Sequence, residues 1–438
     1  MHKNRSTIAH TVHESIKTAT KIIEYAIIIL EYICLPAKPA HTRKANNIIL
    51  VGGELFNKGA QAMTFTAVTA LKQKFPDKNI YLFSTRDFKR SAEEKNNLSF
   101  HILPWRWKTK VSLFSRLNFL FRKRSKLNHQ IKVLKEVIAD GCLFIDISGY
   151  ALSSQWSLFR SMDYLLNIMI AKKFSVPYYI FPQSIGPFHY RLRDKLLLSP
   201  LLLKSCLKYP TKIFAREDKG FNSVSRFTRS NLYKSCDIVL YSKGYSLAHI
   251  YRNIPHVKNF KIEPGSVGII PNVKVMERTD QEDMYALYNA MIERLIKADK
   301  TVYLLRHSHE DVTICRKIKS YYPDNQNIKL LSDDFSAIEL ENIIKQFDFL
   351  VVSRYHAIIH SYRNGVPVLA IGWADKYHEL LEEFKQLDYF VDMREGLDRK
   401  KITDMFGGLI SHYRTERKKI TQRFSSMARE NIFDSLYC

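Results

Sequence analysis

"NNIILVGGELFNKGAQAMTFTAVTALKQKFPDKNIYLFST", residues 46–85, decides the fold. It begins with an apolar run that ends in glycines, Gly52 and Gly53. A stretch with helical spacing of apolar residues follows, at Met63, Val68, Leu71 and Phe75. A second apolar run, "NIYLFST", closes the stretch. Strand, loop, helix and strand in that order mark a parallel α/β unit.

The order recurs along the chain. "GCLFIDIS", "VPYYIFPQS", "TKIFARE" and "CDIVLYS" read as strands, with "WSLFRSMDYLLNIMIAKKF" and "LRDKLLLSPLLLKSCL" as intervening helices. Weak periodicity and two prolines over 243–264 mark an inter-domain connection. A second set then starts. "GSVGIIPNV", "KTVYLLRHS", "IKLLSD", "FDFLVVS" and "VPVLAIGW" are strands, and the last 35 or so residues read as a helix with a basic face. The expected architecture is α/β, with two Rossmann-like domains at 46–250 and 251–438 facing a cleft. Residues 1–45 form an N-terminal helical extension.

The bulk numbers agree with two cores. A chain of 438 residues with 46% hydrophobic content is globular and too long for one ordinary core. Lysine and arginine total 68 against 43 acids, a net charge of +25, which points to an anionic partner. The six cysteines are scattered, with no CxxC pair and no zinc spacing, so a reduced cytosolic protein without structural metal is expected. The early apolar stretch "IIEYAIIILEYICLPA" is about 15 residues long, against the roughly 20 needed to span a bilayer. Glu24 and Glu31 interrupt it. It reads as a helix packed on the protein, or as one lying in a membrane interface.

"SRYHAIIHSYRNGVPVLAIG", residues 353–372, places Arg354 and His356 directly after the apolar run "FDFLVV". In open α/β sheets ligands bind outside the carboxyl ends of strands. The two side chains therefore belong at the mouth of a site and not in the core. The same holds for the loop after the first strand, for "SGY" after "GCLFIDI", and for "RHSHED" after "TVYLL".

Five of these segments, in order, resemble the polysaccharide pyruvyl transferase family. They are "GGELFNKGAQAM" (52–63), "DISGYALSS" (146–154), "FPQSIGPF" (181–188), "FAREDKGFNSV" (214–224) and "SRYHAIIHSYRNGVPVLAIGWADKYHELLEEF" (353–384). The last is similar to the family's Ser-x-Arg-x-His signature and the lysine after it. Two departures stand out: Ser148 occupies one position of a usual Gly-Gly pair, and Glu217 replaces an aspartate. The resemblance implies a GT-B type fold. It also implies transfer of the pyruvyl group of phosphoenolpyruvate onto a sugar, with a cyclic ketal formed and phosphate released. The acceptor would be a sugar or lipid-linked oligosaccharide, a precursor of a surface polysaccharide. No cofactor or metal is implied.

Phosphoenolpyruvate carries a phosphate and a carboxylate, which arginines grip bidentately. Arg354 and Arg216 match family motifs and follow strands, and Arg306 is a third candidate. His356 suits proton transfer to the enol carbon, or deprotonation of a sugar hydroxyl, or holding of the phosphate. Backbone amides around Gly53 and Gly59, with the Asn57 amide, could receive an anion or a sugar. Gln183, His309 and Lys376 complete the substrate-binding candidates. The bland alternatives are specific. Arg216 could simply pair with Glu217 or Asp218, the glycines could serve tight packing, and Asp237 could be a strand-end hydrogen-bonding residue only.

Two rival readings remain: a GT-B glycosyltransferase using a nucleotide sugar, and a non-enzymatic membrane- or polyanion-binding protein on a degenerate transferase fold. Lys95 to Lys135 holds no Asp or Glu and interleaves Trp105, Trp107, Phe114, Leu117, Phe119, Leu120 and Phe121. With residues 21–35 it suits an anionic membrane surface. No recognised nucleic-acid module is present, which disfavours nucleic acid. The expected location is cytoplasmic, peripheral at the inner face of the cell membrane.

Overall fold

Asn47–Val51 forms strand β1, and all of its residues are buried. Burial follows from its neighbours: β1 lies parallel to β2 (Asn79–Ser84) on one side and to β4 (Gly141–Asp146) on the other. Strands covered on both faces read as unbroken apolar runs. The structure is a computed structural model and describes residues 20–36, 45–116, 125–242, 244–427 and 431–438.

The first sheet adds β3 (His101–Pro104), β5 (Tyr178–Gln183), β6 (Lys212–Ala215) and β7 (Leu232–Lys234), in the order β3-β2-β1-β4-β5-β6-β7. The second contains β8 (Val267–Ile270), β9 (Val302–Leu305), β10 (Ile328–Leu331), β11 (Phe349–Val352), β12 (Val368–Gly372) and β13 (Phe390–Asp392), in the order β10-β9-β8-β11-β12-β13. Every pairing is parallel. Both sheets are therefore Rossmann-like, and each reverses its strand order once: between β1 and β4, and between β8 and β11. Such switch points are where doubly wound sheets bind ligands.

The chain divides into two units. The first holds residues up to Gly53, Phe75–Cys236 and Tyr437–Cys438; the second holds Glu54–Lys74 and Asp237–Leu436. These bounds differ from those expected from sequence. The Lys58–Lys74 helix follows β1 in the chain yet packs on Ala337–Ile344 and Tyr355–Arg363. Its Gln61 side chain accepts the Ala337 N–H at 2.7 Å, and Phe65 meets the Tyr245 and Tyr251 rings edge-on. "CDIVLYS" is not a strand: Asp237 caps a 3₁₀ turn over Ile238–Tyr241, so the second unit starts there. "LRDKLLLSPLLLKSCL" is two helices, because Ser199 caps a new helix that starts at Pro200.

Residues 20–33 are helical and are not a detached extension: Tyr25, Ile28 and Tyr32 enter the first unit's core. The interrupting acids are held by the protein. Glu24 accepts from Trp107 Nε1 at 2.8 Å, and Glu31 accepts from Ser115 Oγ at 3.1 Å and from the Arg116 N–H. No helix among the described residues is long and apolar enough to cross a membrane.

The 95–135 segment departs from the expected membrane face. Trp105, Val111, Leu113 and Phe114 are buried in the first unit's core, and Lys110 is buried against Asp163 at 2.8 Å. Leu117, Phe119, Leu120 and Phe121 lie outside the described residues. The cysteines also depart from the all-reduced expectation. Cys142, in β4, is disulfide-bonded to Cys438, whose chain end rejoins the first unit; their Cα atoms are 5.2 Å apart.

Candidate functional site

In the second unit the site grows out of the β8–β11 switch point. The Ser353 N–H donates to Ile270 O at 2.9 Å, extending the sheet by one residue. The Ser353 carbonyl accepts from Asn272 Nδ2 at 2.9 Å and from Tyr377 OH at 3.1 Å. This pinning fixes Arg354 at the cap of the Tyr355–Arg363 helix.

Arg354 is held from below by a buried carboxylate. Its Nε and Nη2 donate to Asp311 at 2.9 and 2.5 Å, and Nη2 also donates to Glu310 at 2.6 Å. Asp311 is fully buried and accepts the Val273 and Ser308 N–H groups as well. Glu310, by contrast, is 47% exposed. Burial opposes the Arg354 charge, but the hydrogen bonds and charges of Asp311 and Glu310 outweigh it, and its pKa lies above the ordinary value.

His356 follows two residues later, in the first turn of the Tyr355–Arg363 helix. Its ring packs against Gly59, where an added Cβ would come within 2.2 Å of Nδ1. Asn57 Oδ1 accepts the Gly59 and Ala60 N–H groups at 3.0 and 3.2 Å, so the capped, partly positive end of the Lys58–Lys74 helix meets the imidazole. On the other side, Nε2 is 3.7 Å from the fully buried Asp237 carboxylate.

The loop after β9 completes the group. Arg306 donates to Asp333 O at 2.9 Å, pairs with Asp334 at 3.2 Å, and contacts His309 Nδ1 at 3.1 Å. Lys58 reaches the same Asp334 at 3.0 Å. His307 is buried, and burial, then the Arg354 charge, hold its pKa well below the usual value. Lys376 lies over the Tyr355 ring, 5.0 Å from its centroid. The second unit thus brings together Asn57, Gly59, Arg306, His309, Arg354, His356 and Lys376 of the expected residues.

Sequence reasoning passed over Lys58, Asp334 and His360 and gave Asp237 a bland role. His360 had a signal: it follows His356 by four residues, so both share one helix face. It is fully buried and 3.7 Å from Glu341, which also binds Arg363 and Asn364. Burial pushes the His360 pKa down to about 4.

The first unit treats its candidates differently. Gly52 has φ +77°, and an added Cβ there would come within 2.0 Å of Ser148 Oγ. Gly53 is buried next to it. Gln183 is fully buried, with Nε2 donating towards Asp146 at 3.5 Å and Phe181 O at 3.4 Å. It turns into the core and not to a ligand surface. Arg216 is 7% exposed; it donates to Glu217 at 2.8 Å, Ser184 Oγ at 2.6 Å and Gly149 O at 3.3 Å. The pairing with Glu217 is present, and it ties together the loops after β4, β5 and β6. Among the described residues, no three His, Cys, Asp or Glu side chains form a metal-holding group.

Two parallel Rossmann-like sheets with charged side chains at their strand ends give the chain a GT-B type fold. The chain belongs to the polysaccharide pyruvyl transferase family, whose model matches residues 57–375. Solved structures add the fold. A UDP-GlcNAc 2-epimerase from Methanocaldococcus jannaschii matches with TM-score 0.52 and 11% identity over 82% of this chain and 91% of that one. A UDP-GlcNAc 2-epimerase from Neisseria meningitidis, bound to UDP-GlcNAc, matches with TM-score 0.52 and 11% identity over 86% of this chain and 95% of that one. A search of curated protein sequences returned no significant match.

Proposed function

We propose that this polysaccharide-modifying transferase moves the pyruvyl group of phosphoenolpyruvate onto two hydroxyls of a sugar in a surface-polysaccharide precursor, free or lipid-linked. The observation that supports it most is the packing of His356 on Gly59, which joins two family-matched segments nearly 300 residues apart in one place.

Arg354 is the anion anchor in this reading. Asp311 keeps it oriented while the exposed Glu310 yields its Nη2 to an incoming carboxylate or phosphate. Arg306, Lys58 and Lys376 supply further positive charge, and His309 lies beside Arg306. In its protonated form His356, beside Asp237, donates a proton to the methylene carbon of the enol. The adjacent carbon becomes oxocarbenium-like and takes the first sugar hydroxyl, whose proton returns to His356. The second hydroxyl then bonds to the same carbon as the phosphate leaves, carrying the remaining proton. Arg216 supports the loops of the first unit. The setting is the cytoplasm, where the donor metabolite is made.

The test is phosphate release from phosphoenolpyruvate in the presence of lipid-linked glycans. Activity should fall at least about 100-fold in His356→Ala and Arg354→Ala. Undiminished release in both variants would remove these residues from the chemistry. UDP release from a UDP-sugar, with none of phosphate, would replace the reading with glycosyl transfer.

A further inference from the structure

The helix over residues 20–33 is apolar on both sides. Tyr25, Ile28 and Tyr32 face the core, while Ile22, Ile23, Leu30 and Ile33 face outward, between 47% and 69% exposed. A helix that is hydrophobic all round is normally enclosed by protein or lipid. A second segment repeats the pattern. Leu192, Leu196 and Leu201 are 84%, 83% and 79% exposed, while Leu198, Leu202 and Leu203 beside them are buried.

The two segments share one face of the first unit, because both are fastened at matching ends to the Leu158–Phe174 helix and its neighbours. At one end, Lys21 lies 5.6 Å from the Phe159 ring, and Tyr190 OH is 3.0 Å from Ser161 Oγ. At the other, Ser205 Oγ donates to Tyr32 OH at 3.4 Å, and Lys172 lies 4.4 Å from the Tyr32 ring. Leu201 is one turn before Ser205 and shares its side of the helix.

The rim is basic. Arg191, Arg193, Lys195, Lys204 and Lys208 are exposed around the leucines, against Asp194 as the single acid of that segment. Glu24 and Glu31 are already bound by the protein.

We infer that this face docks on an anionic lipid bilayer, with the outward side of helix 20–33 and Leu192, Leu196 and Leu201 entering the headgroup boundary. The lysines and arginines meet lipid phosphates there. Apolar burial and cationic attraction act together in such interfacial binding. A protein partner would leave the one-sided charge unexplained, whereas an anionic membrane matches both features. The inference needs no assumption about the donor substrate.

Full-length protein is sedimented with vesicles of phosphatidylcholine alone and of an equal mixture with phosphatidylglycerol. Strong low-salt binding to the mixed vesicles is expected, with weaker binding to phosphatidylcholine alone. Near 1 M salt, where screening acts beyond roughly 3 Å, binding should weaken and not vanish. Leu192→Glu/Leu196→Glu/Leu201→Glu should lower partitioning at least about tenfold. Leu30→Glu/Ile33→Glu should act in the same direction. Both variants should keep the wild-type melting temperature. No binding to the mixed vesicles would overturn the inference, as would binding unaffected by both variants. So would a concentration-dependent dimer, abolished by the triple variant, in a protein that ignores vesicles.

Discussion

Arg216 and Arg354 occupy equivalent-looking places, each directly after a short apolar strand. Their surroundings differ. Arg354 follows β11, at the switch point of its sheet; Arg216 follows β6, two strands from the switch point of the other. Arg354 has a buried acid beneath it and an exposed acid above, so one partner can be exchanged while the other holds. Arg216 is enclosed by Glu217, Ser184 and Gly149, all protein groups that connect three loops. A strand-end cation is free to take a ligand only where one of its partners is separable. Where they are protein groups on three loops, as at Arg216, it fastens those loops.

The largest expected effect breaks that contrast if it fails. Arg216→Gln leaves the Glu217 carboxylate buried without its charge partner, which typically costs about 3–5 kcal/mol. Urea unfolding should show the loss, and Arg216→Met/Glu217→Leu should recover most of it. A stable Arg216→Gln protein with a raised KM for phosphoenolpyruvate would make Arg216 a substrate group after all.

Acid sharpens the contrast next, because the buried polar groups beneath the two loops respond oppositely. His360 faces Glu341, Arg363 and Asp237, with His307 and His356 near, and burial lowers its pKa from 6.5 to about 4. The unfolded chain then binds a proton that the folded chain refuses. Stability in the second unit is full above pH 6.5 and declines as pH falls towards 4, by about 3 kcal/mol in total. Beneath the other loop, burial raises the pKa of Asp146. There the folded state binds the extra proton, so acidification favours it. Hydrogen exchange at pH 7 and pH 5 should show protection falling in the Tyr355–Arg363 helix more than in β4 and β5. His360→Gln should flatten the difference. Equal loss in both units would refute the burial argument.

These distinctions mark how far the sequence could be read. Most strands were legible because parallel strands buried on both faces are continuous apolar runs, as in "NIILV" and "FLVV". β3, β7 and β13 were not: each is an edge strand whose residues are mostly part-buried or exposed, so it carries no continuous apolar run. "CDIVLYS" misled because a short apolar run suits a strand or a buried turn equally. The site segments were legible as strand-end loops. The roles within them were not, because Arg354 gains Asp311 from 43 residues away while Arg216 gains Glu217 from the next position. Nor could local pattern show that the Lys58–Lys74 helix would join the second unit; that depends on Gln61 and Phe65 finding partners far along the chain.

Gly52 and Gly59 are closed off by different neighbours. Gly52 leaves no room because of Ser148, a short side chain in a turn; Gly59 leaves none because of the His356 ring. Gly52 also needs φ +77°, so Gly52→Ala should strain the turn and act mainly on stability. Gly59 lies in the first turn of a helix, where alanine is tolerated by the backbone. Gly59→Ala should therefore leave the melting temperature near that of the wild type while pushing the imidazole off Asp237. A displacement of that order costs about 100-fold in rate, or roughly 2.7 kcal/mol of barrier. Steady-state kinetics should show it as a fall in kcat, with KM for phosphoenolpyruvate little changed because Arg354 is untouched. Wild-type kcat in Gly59→Ala would mean that the ring's seat on this helix end does not matter to the chemistry.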